Sequence, residues 1–265
     1  MKITRKRIAN SRSGFSLIEM LIVIAILTVI TGAIFEQIGQ AERNTSNQQI
    51  RLDLFQQVRE FSDQMARDLR SVGYPNIRNF ESGQLKTSGG TTLTVEQDNK
   101  KTAVGLVELS PNSLWYESAA QGDGTVWVIR YKLVTEGMGC PCLQRSMVQK
   151  QDGDPMDGQP NADAQYITEV QNVVTGDDSN PIFTAYDTGG AIVPATVAAP
   201  IDMNSMDASG NPTIANINSV AIKLTVRSPV TDSTGHKPEV TMIATVRLTN
   251  CSQAYHTANP TIMGC

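Results

Sequence analysis

The hydrophobic pattern of this chain changes character twice. Residues 15–35, FSLIEMLIVIAILTVITGAIF, are apolar on every side of a helix and carry one ionisable side chain, Glu19. As a helix that run rises roughly 32 Å, the hydrocarbon thickness of a bilayer. From Glu36 to Val72 the period stays helical, but the apolar positions narrow to one stripe. Leu54, Val58, Phe61, Met65, Leu69 and Val72 recur at spacings of 4, 3, 4, 4 and 3. Polar residues fill the opposite face, with Asp63 and Arg67 an acid-then-base pair at i, i+4. Gly73-Tyr74-Pro75 ends the pattern, because Gly closes helices and Pro cannot continue one. One helix over 15–72 is predicted, about 85–90 Å long if straight. Asn44-Thr45-Ser46-Asn47, Gly32 and Gly39 are its weakest places. The stripe is the face that a following β domain covers, in preference to a groove for a separate partner.

Beyond residue 75 the period drops to that of strands. Thr91–Glu96, Ser113–Tyr116, Val126–Val134, Cys142–Lys150, Ser219–Arg227 and Val240–Leu248 alternate or are β-branched, and Gly, Pro, Asn or Asp separate them. Val126–Val134 with Cys142–Lys150 predicts one hairpin, and the last two strands predict another. Residues 151–216, rich in Asp, Gly, Pro, Asn and Ala, are expected to be long surface loops.

Charge sharpens the N-terminal picture. The chain has 265 residues, 22 basic and 26 acidic, and a pI near 5.3, which argues against a general nucleic-acid binder. Residues 1–14 nevertheless hold Lys2, Arg5, Lys6, Arg7 and Arg12 and no acid. The positive-inside rule keeps that flank cytoplasmic and places residues 36–265 across the inner membrane. A cleaved secretory signal would have a shorter apolar run and a small-x-small site beyond it, whereas Thr31-Gly32-Ala33 lies inside the run. A plain signal anchor gives no reason for Glu19, which costs on the order of 2.5–3.5 kcal/mol in a membrane span.

Gly14-Phe15-Ser16-Leu17-Ile18-Glu19, after a basic leader and before an apolar helix, resembles the class III signal of type IV prepilins and type II secretion pseudopilins. The resemblance implies that a prepilin peptidase cuts after Gly14 and methylates the new N-terminus at Phe15, leaving the helix in place. Removing the five leader cations leaves 17 basic against 26 acidic residues, a side-chain charge of −9. It also exposes an α-amine one helical turn from Glu19. Either charge alone is costly in lipid; paired within or between subunits they cost less, so Glu19 would set the register of packed helices. The alternative has Glu19 reaching the interface, five residues into the span.

Further along, Gln64-Met65-Ala66-Arg67-Asp68-Leu69-Arg70-Ser71-Val72-Gly73-Tyr74 resembles the helix end of PilW-type minor pilins and J-type pseudopilins. Leu143-Gln144-Arg145 and Phe183-Thr184-Ala185-Tyr186-Asp187-Thr188-Gly189-Gly190 resemble the J-type pattern of a Leu-x-Arg strand and a later F-x-x-Y-D-x-x-G. The implied fold is α+β and pilin-like, a long N-terminal helix packed against an antiparallel β-sheet domain. Its divisions are a cleaved leader 1–14, a transmembrane or filament-core helix 15–35, an amphipathic spine 36–74 and a β-rich domain 75–265.

Other chemistry is sparse. The spacing of Asp152, Asp154 and Asp157 could offer oxygen ligands to Ca²⁺, which some pseudopilins bind, but it is not that of an EF-hand. A solvated acidic loop is the simpler reading, and no cofactor is expected. HExxH, Walker A, GxSxG and CxxC patterns are absent. Bridging Cys140 to Cys142 would be strained, so these two could instead cross to Cys251 and Cys265. Three connectivities stay open, with Cys251–Cys265, a C-terminal loop like that of major pilins, slightly preferred. Arg67, Arg70 and Arg78 form a local basic cluster, more simply a solvated helix end. A membrane-anchored enzyme would have to draw on His236, His256 or Cys142.

The reading is therefore a structural subunit: a minor type IV pilin of the PilW class or a J-type pseudopilin. The partners implied are other minor and major pilins or pseudopilins, prepilin peptidase, the inner-membrane assembly platform and inner-membrane lipid, with nucleic acid disfavoured. A ligand- or DNA-binding pilin at a tip is the remaining class.

Overall fold

The computed structural model describes residues 16–76, 79–80, 98–137, 139–157, 159–160, 165–233, 235–250, 252–254 and 262–264. Helix α1 runs Leu17–Arg70 without interruption, through Gly32, Gly39 and the Asn44–Asn47 run expected to weaken it. The chain divides into two compact units, Met1–Gln49 and Ile50–Cys265. Within the first, the described residues are helical almost throughout.

In the second unit the stripe behaves as its spacing predicts. Leu54, Val58, Phe61, Met65, Leu69 and Val72 are all buried, in one core with residues of both large sheets. The helix stops at Arg70, slightly before the predicted end. Gly73, at φ 77°, turns the chain, and backbone bonds from Gly73 N to Glu117 O and from Ala119 N to Tyr74 O tie it to a strand. The Thr249 hydroxyl and the Asn250 amide both donate to Arg70 O, satisfying a carbonyl the helix leaves open.

The strands are β1 (Leu106–Leu109), β2 (Ser113–Ser118), β3 (Trp127–Val134), β4 (Cys142–Gln149), β5 (Ile167–Gln171), β6 (Phe183–Asp187), β7 (Ile192–Val193), β8 (Ile201–Asp202), β9 (Ile217–Arg227), β10 (Glu239–Arg247), β11 (Ser252–Ala254) and β12 (Ile262–Gly264). A six-stranded sheet has the order β5-β4-β3-β2-β1-β8, a four-stranded sheet the order β10-β9-β6-β7, and β11 pairs with β12. Every pairing is antiparallel. Both predicted hairpins form, β3 with β4 and β9 with β10. The expected strand at 91–96 lies outside the described residues.

The alternation of β2 and β3 sets the faces of the larger sheet. Leu114, Tyr116, Ile129 and Tyr131 point into the main core, where Phe61 of α1 meets the Tyr131 ring edge-on at 5.9 Å. A second small cluster, Val104, Val107 and Met203, packs with Trp115.

Residues 151–216 differ from the expectation of surface loops. They contain β5 to β8 and a 3-10 turn at Thr213–Asn216, and they bury Val170, Val173, Ile182, Phe183, Ile201 and Ile214. These strands run from two to five residues, too short for alternation to register against the Asp- and Gly-rich turns between them. Inside the region, Asn172–Thr175 joins the sheets. Val173 N donates to Pro141 O beside β4, while Val174 N donates to Thr225 O of β9 and Arg227 N to Asn172 O.

Candidate functional site

The first unit presents one chemical feature, its uncovered apolar surface. The helix holds an 18-residue window of mean hydropathy 2.6, none of it buried, and so is long and apolar enough to cross a membrane. Leu17 is 84% exposed, Leu27 60% and Phe35 68%. A contiguous apolar surface of this size is stable only against lipid or other apolar helices. Glu19 sits in the first turn, where Glu19 N and Met20 N both reach back to Ser16 O. A carboxylate there is favoured by the positive end of the helix dipole. Gly14 and Phe15 lie outside the described residues.

In the second unit, two of the motif segments meet. Asp68 of the Asp-Leu-Arg run accepts from Arg145 of the Leu-x-Arg strand at 3.2 Å, both side chains 17% exposed. The Arg145 guanidinium also lies 5.8 Å from the Tyr131 ring centre. Burial raises the Asp68 carboxyl above its ordinary value, with Arg145 opposing that shift. Arg67 and Arg70 are exposed at the helix end, and Arg78 lies outside the described residues.

A second pair was not anticipated from the sequence. Lys150 donates to Glu117 at 2.7 Å, and both side chains are fully buried. Lys150 Nζ also donates to Thr102 O at 2.9 Å, and Val104 N donates to the same Glu117 oxygen at 3.1 Å. The pair thus fastens residues 102–104 over the ends of β2 and β4. Burial raises the Glu117 carboxyl, and Lys150 lowers it in opposition.

The aspartates that could offer oxygen ligands are engaged otherwise. Asp152 accepts from Lys100 N at 2.8 Å and faces its ammonium at 3.9 Å. Asp154 closes a turn by accepting from Met156 N at 2.7 Å. Among the described residues no group of three or more His, Cys, Asp or Glu side chains gathers where a metal ion could be held, so Asp152, Asp154 and Asp157 form no ligand set.

Of the three cysteine connectivities left open, the structure holds the one that goes with the slightly preferred Cys251–Cys265 pair, and only the crossing of Cys140 and Cys142 to those residues is corrected. Cys140 and Cys142 are bonded to each other across Pro141, their Cα atoms 4.3 Å apart at the turn before β4. That excludes both connectivities that cross to Cys251 and Cys265, which lie outside the described residues together with His256. Cys142 offers no thiol for redox or nucleophilic work while so bonded. His236 belongs to a turn in which His236 N donates to Asp232 Oδ1.

One family model matches the chain, described as the prokaryotic N-terminal methylation motif, over residues 9–35. No curated protein and no solved structure matches it. The matched span takes in the Gly14-Phe15 junction, Glu19 and the apolar run as far as Phe35. With that motif, and with a long apolar helix whose C-terminal part packs on antiparallel sheets, the chain fits a type IV prepilin-like protein.

Proposed function

We propose that this chain is a minor type IV pilin of the PilW class, a structural subunit and not an enzyme. Prepilin peptidase cuts it between Gly14 and Phe15 and methylates Phe15. The mature subunit waits in the inner membrane with its C-terminal domain periplasmic. It then joins other minor pilins and primes assembly on the inner-membrane platform.

The observation that carries this reading is the two-part helix α1. The matched motif takes in an exposed apolar run, and the same helix then supplies the buried stripe of a β-rich domain. Such a chain can be stored in lipid and later exchange lipid for neighbouring helices without unfolding its globular part. The test is mass spectrometry of the protein recovered from membranes and from sheared filaments. An N-terminus at methyl-Phe15 is expected, and Gly14→Val should leave residues 1–14 attached and the subunit absent from filaments. A mature protein that retains residues 1–14 overturns the reading.

A J-type minor pseudopilin of a type II secretion system is the second reading. It is favoured by the placing of Leu143–Arg145 on β4 and of Phe183–Asp187 as β6. Loss of secreted enzymes without loss of surface filaments, on deletion of the gene, selects it.

A further inference from the structure

Residues 194–200 join β7, an edge of the four-stranded sheet, to β8, an edge of the six-stranded one. Between those edges opens a cleft of about 480 Å³, in the size range of ligand sites. Its apolar wall includes Ile192 of β7, Ile201 of β8, Pro194, Pro200 and Met206. Ile192 is 63% exposed and Met206 40%, so this wall faces water. Ile192, Val193 and Pro194 also line a hollow of about 350 Å³ that includes Phe183 and Tyr186. Strand β7 therefore partitions two adjoining hollows.

Three aspartates give the hollows their charge: Asp187 and Asp207 in the cleft, Asp178 in its neighbour. The main chain orients each through Oδ1. Asp187 accepts there from Gly189 N and Ala191 N, Asp207 from Ser209 N and Asn211 N, and Asp178 from Val197 N. Among the described residues, Oδ2 of Asp187 and of Asp178 accepts no bond, and none of the three has an ion pair. No Lys, Arg or His lines either hollow. The sequence explains why, since residues 151–222 hold ten acidic residues and no Lys, Arg or His. The Thr213 hydroxyl and the Asn216 amide, also in the cleft, make no side-chain bond among the described residues.

We infer that the two hollows bind a basic segment of another polypeptide, which lays a Lys or Arg side chain in each. The hydrocarbon stems pack on Ile192, Pro194 and Met206 while the charged heads meet the carboxylates. An acidic or wholly apolar segment is rejected, because it leaves those carboxylates repelled or unpaired. A small amine fills one hollow and leaves the other unanswered.

A second copy of this chain has no such segment to offer. Among the described residues, Lys or Arg pairs within four residues and with no acid between are Lys100 with Lys101, Arg130 with Lys132 and Lys223 with Arg227. Each pair is already engaged: Lys100 faces Asp152, Arg130 stacks on Trp115, Lys132 on Tyr166, and Arg227 is bonded to Glu239. The leader's five cations lie across the membrane from this domain. Only that last exclusion rests on the pilin reading, and a failed search for methyl-Phe15 would leave the binding results below untouched.

The test uses the full chain in detergent and the peptide acetyl-KVKVK-amide, with the Ile192 and Met206 methyl groups observed by NMR. Both resonances should shift and give one dissociation constant. Acetyl-QVQVQ-amide, which keeps the apolar residues, should bind about tenfold more weakly. Asp187→Asn with Asp207→Asn should also cost about tenfold, because the Asn carbonyl keeps the turn bonds and loses only the charge. Asp178→Asn should cost about threefold. Asp123→Asn, a turn aspartate outside both hollows, should change nothing.

Equal binding of the two peptides overturns the inference. So does a loss in Asp123→Asn as large as in the paired variant, since the whole acidic surface is then the attractant. Butylammonium that shifts the same methyls at the peptide's concentration overturns it in favour of a small amine. A doubled chain mass in light scattering that the paired variant halves overturns it in favour of a second copy.

Discussion

Asp68, near the last turn of α1, and Arg145, 77 residues further along the chain in β4, hold each other at 3.2 Å in a site mostly closed to water. Arg145 is the largest opposing charge on Asp68, ahead of Arg67, so losing either member leaves the other partly buried and poorly compensated. Asp68→Ala and Arg145→Ala should each lower stability by about 2–4 kcal/mol, and the double variant should cost clearly less than their sum. Urea unfolding of the four proteins measures the coupling. Simple additivity would show that the contact is geometric only.

The Glu117–Lys150 pair is the sharper case, because both side chains have no exposure at all. Glu117→Ala should cost about 3–5 kcal/mol by stranding the ammonium. Glu117→Leu combined with Lys150→Met should recover most of that loss, since it removes both charges and keeps the volume. A double variant as unstable as the single one would mean that the bonds from Lys150 to Thr102 O and from Val104 N to Glu117 matter more than the charge balance.

Opposite pH slopes are expected from two sets of carboxyls. Asp68 and Glu117 are raised chiefly by burial, so the folded chain holds their protons more tightly than the unfolded chain does. Their contribution is fully present below the ordinary carboxylate value and is lost as pH rises through the raised folded value. Asp177 is lowered by the Ser179 hydroxyl and the Asn180 N–H, and Asp207 by the Asn211 N–H. Their contribution is present above the ordinary value and is lost as pH falls through the lowered one. Thermal melts from about pH 3 to 7 should therefore flatten on the acid side in Asp177→Asn and steepen there in Asp68→Asn. Identical profiles for the two variants would contradict the assignment.

Glu19→Ala should still be cleaved at Gly14 and inserted in the membrane, yet enter filaments poorly. The ratio of variant to native subunit in sheared filaments, against the ratio in membranes, measures this. Equal ratios would remove the pairing role and leave Glu19 as a helix-start carboxylate only.

The long elements were legible because their periods repeat often enough to be read. Five stripe positions on α1 give the helix and the face it buries, and β3, β4, β9 and β10 alternate over eight to eleven residues. The strands β5 to β8 were hidden by brevity and by the Asp turns around them. Asp68 and Arg145 each stood inside a motif quoted from the sequence, but nothing local in either motif says that they touch. Glu117 and Lys150 gave less signal still, since a Glu and a Lys at strand ends ordinarily face water. Of the aspartates weighed as cation ligands, Asp154 is a turn former and Asp152 a long-range partner of Lys100, roles the same residue type serves equally well.

Asn172–Thr175 is bonded on one side to the turn before β4 and on the other to β9, with Val173 buried at the crossing. Neither sheet can part from the other without breaking those main-chain bonds and exposing the apolar residues they enclose. The β domain therefore has no cheap way to come apart in halves, and a calorimetric melt of it should register a single cooperative event.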